Sequence, residues 1–180
     1  MSVNIAAIKN HQGITLLEVL ISVIILSVSM LGIAGILIIS SKANNSSYAK
    51  QQAVQLVYNI FEKMRTNSSA AINGDYNISN IGSNGLPTSV ATPSVLCNSS
   101  VCTPTQLANY DTWQWLTSDV SRLPNGSASI STALSGVAGN TIVTITVQWD
   151  DSPAQTLIGS SGATATSNGN FVQLTIQSQL

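Results

Sequence analysis

Charge is scarce in this sequence. Only 7% of its 180 residues are Asp, Glu, Lys or Arg, against roughly a quarter in an ordinary soluble domain. From Thr66 to Leu180 the charged residues are Asp75, Asp111, Asp119, Arg122, Asp150 and Asp151. A surface so poor in cations cannot neutralise a phosphate backbone, which excludes nucleic acid as a partner. The exterior must be built from Ser, Thr, Asn and Gln. Disorder is excluded as well, because 44% of the residues are hydrophobic and their spacing is regular.

Histidine occurs once, as His11, and the acids are scattered. No nucleophile–base pair can be assembled from such a set, so an enzyme is not expected and no cofactor is implied. Cysteine occurs twice, as Cys97 and Cys102. A metal site would need further sulfur or imidazole ligands, and the only His lies far away near the N-terminus. A disulfide closing this small loop is the better reading if the domain lies in an oxidising compartment; two free, buried thiols are the other. Asp150-Asp151 could help hold a cation, but too few oxygen ligands accompany them, and a solvated turn is expected there.

What the chain does have is one long apolar run. No charged residue stands between Glu18 and Lys42. Val19 to Ile39 is apolar except for Ser22, Ser27, Ser29, Gly32 and Gly35. A helix of about 21 residues rises roughly 30 Å, enough to cross a bilayer core. Gly32 and Gly35 each weaken that helix by about 1 kcal/mol relative to Ala, or serve close helix packing. Glu18 is anomalous, because a carboxylate at the edge of such a segment is costly and usually has a partner. The plainer reading makes it a marker of where the span begins. Ser41-Lys42-Ala43 is a faint secretory cleavage pattern, which would leave a chain beginning at Asn44. The apolar run is too long for an ordinary signal core, and an acid sits at its start.

The helical pattern continues past the apolar run. Ala53, Val57, Ile60, Phe61 and Met64 fall on one face, widened by Val54 and Leu56, while Gln51, Gln52, Gln55, Asn59 and Lys63 lie off it. No Pro intervenes before Pro87, so one helix is expected from about Thr15 to Arg65, roughly 75 Å long. Lys63 and Arg65 suit its carbonyl end, and Asn67-Ser68-Ser69, then Asn73-Gly74, end it. Residues Asn73 to Pro104 read as irregular with at most a short strand. Thr103-Pro104-Thr105-Gln106 is a capping-box start for a helix with the stripe Leu107, Tyr110, Trp113, Leu116, Val120 and Leu123. Trp113 and Trp115 could form an aromatic ligand platform, but the expected roles are core anchor for Trp113 and partial surface cover for Trp115. Leu123-Pro124-Asn125-Gly126 turns the chain.

The remainder alternates with period two. Ala128, Ile130 and Leu134 form a weak strand. Val143, Ile145, Val147 and Trp149 oppose Thr144, Thr146 and Gln148, and Val172, Leu174 and Ile176 oppose Gln173, Thr175 and Gln177. Such alternation predicts an antiparallel sheet with one buried face, which the Ala53–Met64 stripe can cover. The fold class is therefore α+β: a long N-terminal helix, its first half transmembrane, packed on three or four antiparallel strands.

Lys9 and His11 in a short leader, Gly13 at its end, the apolar Ile14 and Glu18 as the fifth residue after the Gly together resemble a type IV prepilin signal. That family usually has Phe where this chain has Ile14. Phe61-Glu62-Lys63-Met64-Arg65-Thr66-Asn67, Ala70-Ala71, Gly74-Asp75-Tyr76, the Leu123–Gly126 turn and the strand from Val143 to Trp149 are most similar to PilV, the minor pilins called type IV pilus modification proteins. The resemblance implies four parts: a leader at 1–13, a transmembrane half-helix at 14–41, an amphipathic half at 42–66 and a periplasmic head at 67–180. It implies cutting between Gly13 and Ile14 by prepilin peptidase. It also implies anchorage in the bacterial inner membrane, then assembly with other minor pilins and the major pilin into a complex that primes or caps the pilus. A tip adhesin is a conceivable further partner. Orientation rests on this resemblance and on the cysteine pair, because Lys9 precedes the span while Lys42 and Lys50 follow it. A minor pseudopilin of a type II secretion system shares every feature up to about Arg65 and is the alternative.

Overall fold

The computed structural model describes residues 15–134, 141–152 and 170–180. The chain divides into two compact units, Met1–Ser41 and Lys42–Leu180. Helix α1 (Leu16–Thr66) supplies residues to both. In the first unit the described residues are almost all helix, and their Leu, Ile and Val side chains are exposed except for the half-buried Ile38. This is the one helix among the described residues long and apolar enough to cross a membrane, with a mean hydropathy of 2.6 over its best stretch.

The second unit is built on the later part of α1. Ala53, Leu56, Val57, Ile60 and Met64 are its buried residues, one face at helical spacing. Phe61, expected on that face, is half-buried at its margin. α1 is followed at once by a short helix, α2 (Ser68–Ile72). α1 thus ends at Asn67 as expected, and the chain restarts as a separate short helix that Asn73-Gly74 closes. α2 buries Ala70 and Ala71 in the core. The irregular stretch that follows holds strand β1 (Ile78–Ser79) and an isolated bridge from Ile81 to Pro87.

Helix α3 (Pro104–Gln114) starts on a full capping box. Thr103 Oγ1 accepts from the Gln106 backbone N–H, and Gln106 Oε1 accepts from the Thr103 N–H. The expected apolar stripe is buried only in its later part: Leu116, Val120 and Leu123 lie in the core, whereas within α3 a neighbouring face is the buried one. Ala108, Asp111 and Thr112 are buried, while Leu107, Tyr110 and Trp113 are half-buried. The next buried residue on that face is Trp115, in a π-helical turn (Trp115–Asp119). A tighter turn (Val120–Arg122) then ends the helical run. The two tryptophans therefore exchange their expected roles. Trp115 is the core anchor, fully buried with its indole N–H on the Leu56 carbonyl at 3.0 Å. Trp113 is the half-exposed one. The buried face was hidden because it carries an acid that has a partner: Asp111 Oδ1 lies 3.2 Å from Lys63 Nζ, and Asp111 Oδ2 accepts from the Tyr76 hydroxyl at 3.0 Å. Asn67 Nδ2 donates to the Tyr76 oxygen at 3.3 Å and to the Pro104 carbonyl at 2.8 Å, and Lys63 Nζ also donates to Gln114 Oε1. Burial pushes the Tyr76 phenol above its ordinary pKa, and the Asp111 charge adds to this over the opposing bond from Asn67.

Strands β2 (Ser127–Leu134), β3 (Thr141–Asp150) and β4 (Phe171–Gln179) join β1 in one antiparallel sheet of order β1-β2-β3-β4. Val143, Ile145, Val147 and Trp149 on β3 are buried and belong to the same core as Ala53, Val57, Ile60 and Met64. Val172, Leu174 and Ile176 on β4 are half-buried against it.

The turn into β2 is closed by the Gly126 N–H on the Leu123 carbonyl at 3.0 Å, with Asn125 at φ 48°. Asn tolerates that left-handed backbone better than most residues. A side chain at Gly126 would meet the Val120 carbonyl oxygen at 2.1 Å, so only glycine fits. Asn125 Nδ2 donates to Asp150 Oδ2 at 3.3 Å, and the Asp150 N–H to the Pro124 carbonyl at 2.8 Å. Asp150 and Asp151 are thus not a solvated turn: both are buried. Asp150 Oδ1 also accepts from the Ser152 N–H at 2.9 Å, and Asp151 Oδ2 accepts from Ser46 Oγ at 3.1 Å. Burial alone would raise the Asp150 pKa, but the bonds from Ser152 and Asn125 outweigh it and hold the carboxyl below its usual range.

Candidate functional site

The feature with functional content is the start of α1. Thr15 stands at the helix N-cap, and its Oγ1 accepts from the Glu18 backbone N–H at 3.3 Å. Thr15-Leu16-Leu17-Glu18 is the spacing of a capping box, a signal legible in the sequence and missed there. The Glu18 side chain is exposed, and among the described residues its carboxylate has no hydrogen-bond or ion-pair partner. An unpaired carboxylate where apolar side chains surround the helix is costly in lipid.

The serines of the same segment carry no such cost. Ser22 Oγ donates to the Glu18 carbonyl at 2.7 Å, Ser27 Oγ to Val23 at 2.7 Å and Ser29 Oγ to Ile25 at 2.8 Å. Each hydroxyl is satisfied within the helix, which is the condition for a polar group in hydrocarbon. Glu18 is therefore the one side chain between Leu16 and Ile39 whose polar demand the helix itself does not meet. Among the described residues nothing lies near the Cβ positions of Gly32 and Gly35, so no contact there requires a glycine.

Gly13 and Ile14, the expected cleavage pair, lie outside the described residues, as does the rest of the 1–13 leader with Lys9 and His11. Cys97 and Cys102 form a disulfide with their Cα atoms 5.6 Å apart. It closes a surface loop in the second unit, away from Glu18 in the sequence and in a different unit. Among the described residues no group of three or more His, Cys, Asp or Glu could hold a metal ion.

Two family models match the chain. Residues 8–34 match the prokaryotic N-terminal methylation motif, which spans Gly13, Ile14 and Glu18. Residues 38–113 match the Tt1218-like model, described as type IV pilin Tt1218; they run from the later part of α1 through α2, β1 and the disulfide loop to Trp113. A long N-terminal apolar helix packed on a four-stranded antiparallel sheet is the fold of type IV pilins. Over residues 8–34 and 38–113 the chain is thus similar to type IV pilins, and its fold is consistent with theirs. No curated protein and no solved structure matches the chain.

Proposed function

We propose that this chain is a minor pilin of a type IV pilus, of the PilV kind, cut between Gly13 and Ile14 and incorporated with other minor pilins into a priming or tip complex. The observation that carries the reading is Glu18, an exposed carboxylate without a partner among the described residues, at the head of a helix otherwise suited to lipid. Cutting after Gly13 creates a free amine at Ile14, the cation such a carboxylate needs. Desolvation makes the unpaired state costly, so pairing with the amine of the same or a neighbouring subunit sets axial register. The buried stripe of α1 is already covered by its own sheet, which leaves the exposed apolar residues before Ser41 for lipid or neighbouring helices.

The test is N-terminal sequencing and intact mass of the membrane-extracted protein, with co-purification of its partners after crosslinking. A chain beginning at Ile14 and crosslinked to pilins supports the reading. A chain beginning at Asn44 means ordinary signal cleavage and removes it. Crosslinks to secretion-system components in place of pilus components assign the chain to the minor pseudopilins.

A further inference from the structure

A cavity of about 310 Å³ opens on the second unit, on the side of the disulfide loop. Its lining comes from three places: loop residues 90–95, the face of α3 that carries Gln106, Asn109 and Trp113, and Ile78 of β1. The volume is at the lower end of what small-ligand sites take. The chemistry of the lining restricts the ligand sharply.

No charged side chain lines the cavity. Phosphate, carboxylate and ammonium ligands would enter without a counter-charge and lose their hydration for nothing. Trp113 is half-exposed there, with its ring 6.0 Å from that of Tyr110. A half-exposed indole offers a flat apolar surface that the core does not use. Around it stand polar groups with unspent hydrogen-bonding capacity. The Asn109 side chain and the Thr92 and Ser94 hydroxyls make no hydrogen bond among the described residues, and Gln106 uses only its oxygen, on the Thr103 N–H. A wholly apolar ligand would cover these groups and leave them unpaired. The ligand that satisfies both halves of the lining is uncharged, has an apolar face for the indole and carries several hydroxyls for the amides and hydroxyls around it. A pyranose ring has this character.

We propose that this groove binds a neutral saccharide of mono- or disaccharide size. Trp113 stacks on the C–H face of the ring, while Asn109, Gln106, Thr92 and Ser94 take the sugar hydroxyls. The disulfide is part of the device. Cys97 follows the loop wall by two residues and Cys102 immediately precedes the Thr103 cap of α3, so the bond ties the end of one wall to the start of the other. The proposal goes beyond the subunit reading and stands without it.

The experiment is saturation-transfer NMR on the full chain in a non-glycosidic detergent. The probes are galactose, mannose, N-acetylglucosamine and N-acetylgalactosamine, with N-acetylneuraminic acid as a charged counter-probe. At least one neutral sugar should receive saturation, strongest at ring C–H protons. Trp113→Ala should weaken its binding about ten-fold or more, and Asn109→Ala should weaken it measurably. Tyr58→Ala, exposed on α1 and outside the groove, should leave it unchanged. Reduction of the disulfide should weaken binding while the melting transition persists. The proposal is overturned if no neutral sugar is saturated, if neuraminic acid binds better than all of them, or if saturation survives Trp113→Ala. Should Trp113→Ala fail to fold, the exposed Asn109→Ala variant decides in its place: unchanged binding there overturns the assignment.

Discussion

The indole N–H of Trp115 donates to the backbone carbonyl of Leu56 at 3.0 Å, across 59 residues of sequence. This bond fixes the π-helical turn after α3 against the middle of the buried α1 stripe. It makes Trp115 both a packing and a polar anchor. Trp149, also buried, has an indole N–H with no partner among the described residues.

The two buried tryptophans should respond differently to the same change. Trp115→Phe leaves most of the apolar volume but abolishes the bond, and should cost about 1–2 kcal/mol beyond the packing loss. Trp149→Phe removes a donor that has no acceptor, and should cost less. Trp115→Ala should cost about 3–5 kcal/mol. Urea unfolding of the three variants gives the order. A larger loss for Trp149→Phe than for Trp115→Phe would show that the Leu56 bond contributes nothing.

Asp111 should matter through its charge. Asp111→Asn keeps the shape of the side chain but leaves Lys63, itself partly exposed, without its ion pair, and it weakens the bond from Tyr76. A loss of about 1–3 kcal/mol is expected, the upper values being reached only if Lys63 cannot turn to solvent. The double variant Lys63→Met, Asp111→Asn, which keeps an acceptor for the Tyr76 hydroxyl, should recover part of it. Chemical denaturation of the single and double variants tests this; a double variant no better than Asp111→Asn alone refutes the pairing.

Stability should fall at both ends of the pH scale, for separate reasons. Asp150 has a lowered carboxyl pKa in the folded protein, so the unfolded chain binds the proton more readily. Its contribution is present above the unfolded carboxylate value of about 4 and is lost as pH drops below it. Tyr76 has a raised pKa, so the folded protein keeps its phenol protonated while the unfolded chain ionises near pH 10. Its contribution is present below about pH 10 and fades above. Asp150→Asn should flatten the acid limb and Tyr76→Phe the alkaline limb. Melting temperature against pH separates them, and a Tyr76→Phe variant with an unchanged alkaline limb rules out the phenol as its source.

Glu18 should be dispensable for folding and necessary for assembly. The Thr15 bond goes to its backbone, so Glu18→Gln and Glu18→Ala both leave the helix start capped. Glu18→Ala also removes the polar cost of the site, so insertion should become easier. Both variants should be made, inserted and cut normally while surface pili decline. Microscopy of pili beside blots of mature protein is the comparison. Wild-type piliation in Glu18→Ala makes the carboxylate a boundary marker, and disappearance of the mature protein moves its role to an earlier step.

The sequence was most informative where apolar period and end signals agree. The Ala53–Met64 stripe, the Thr103–Gln106 box, the Leu123–Gly126 turn and the Val143–Trp149 alternation all appear in the structure in the places their patterns imply. It was misleading where burial is polar. Asp111, Asp150 and Asp151 are buried because each finds a partner far along the chain, and Thr112 because its hydroxyl bonds the Ala108 carbonyl within α3; a hydropathy pattern reads all four as surface. The exchange between Trp113 and Trp115 has the same origin. Trp115 follows Asp111 and Thr112 at ordinary helical spacing, so a stripe built on Leu107, Tyr110 and Trp113 in place of this partly polar face lands on the wrong indole.

The order of elements along the chain has a consequence for how it is made. The stripe from Ala53 to Met64 leaves the ribosome before any strand that covers it, and β3, which supplies Val143 to Trp149, begins about 80 residues later. At about 5–20 residues per second, that delay is roughly 4–16 s. Throughout it the stripe is an uncovered apolar helix face, joined in the same chain to a still more apolar run before it. Whatever receives the nascent chain must take up that run and leave the stripe free for a sheet that does not yet exist.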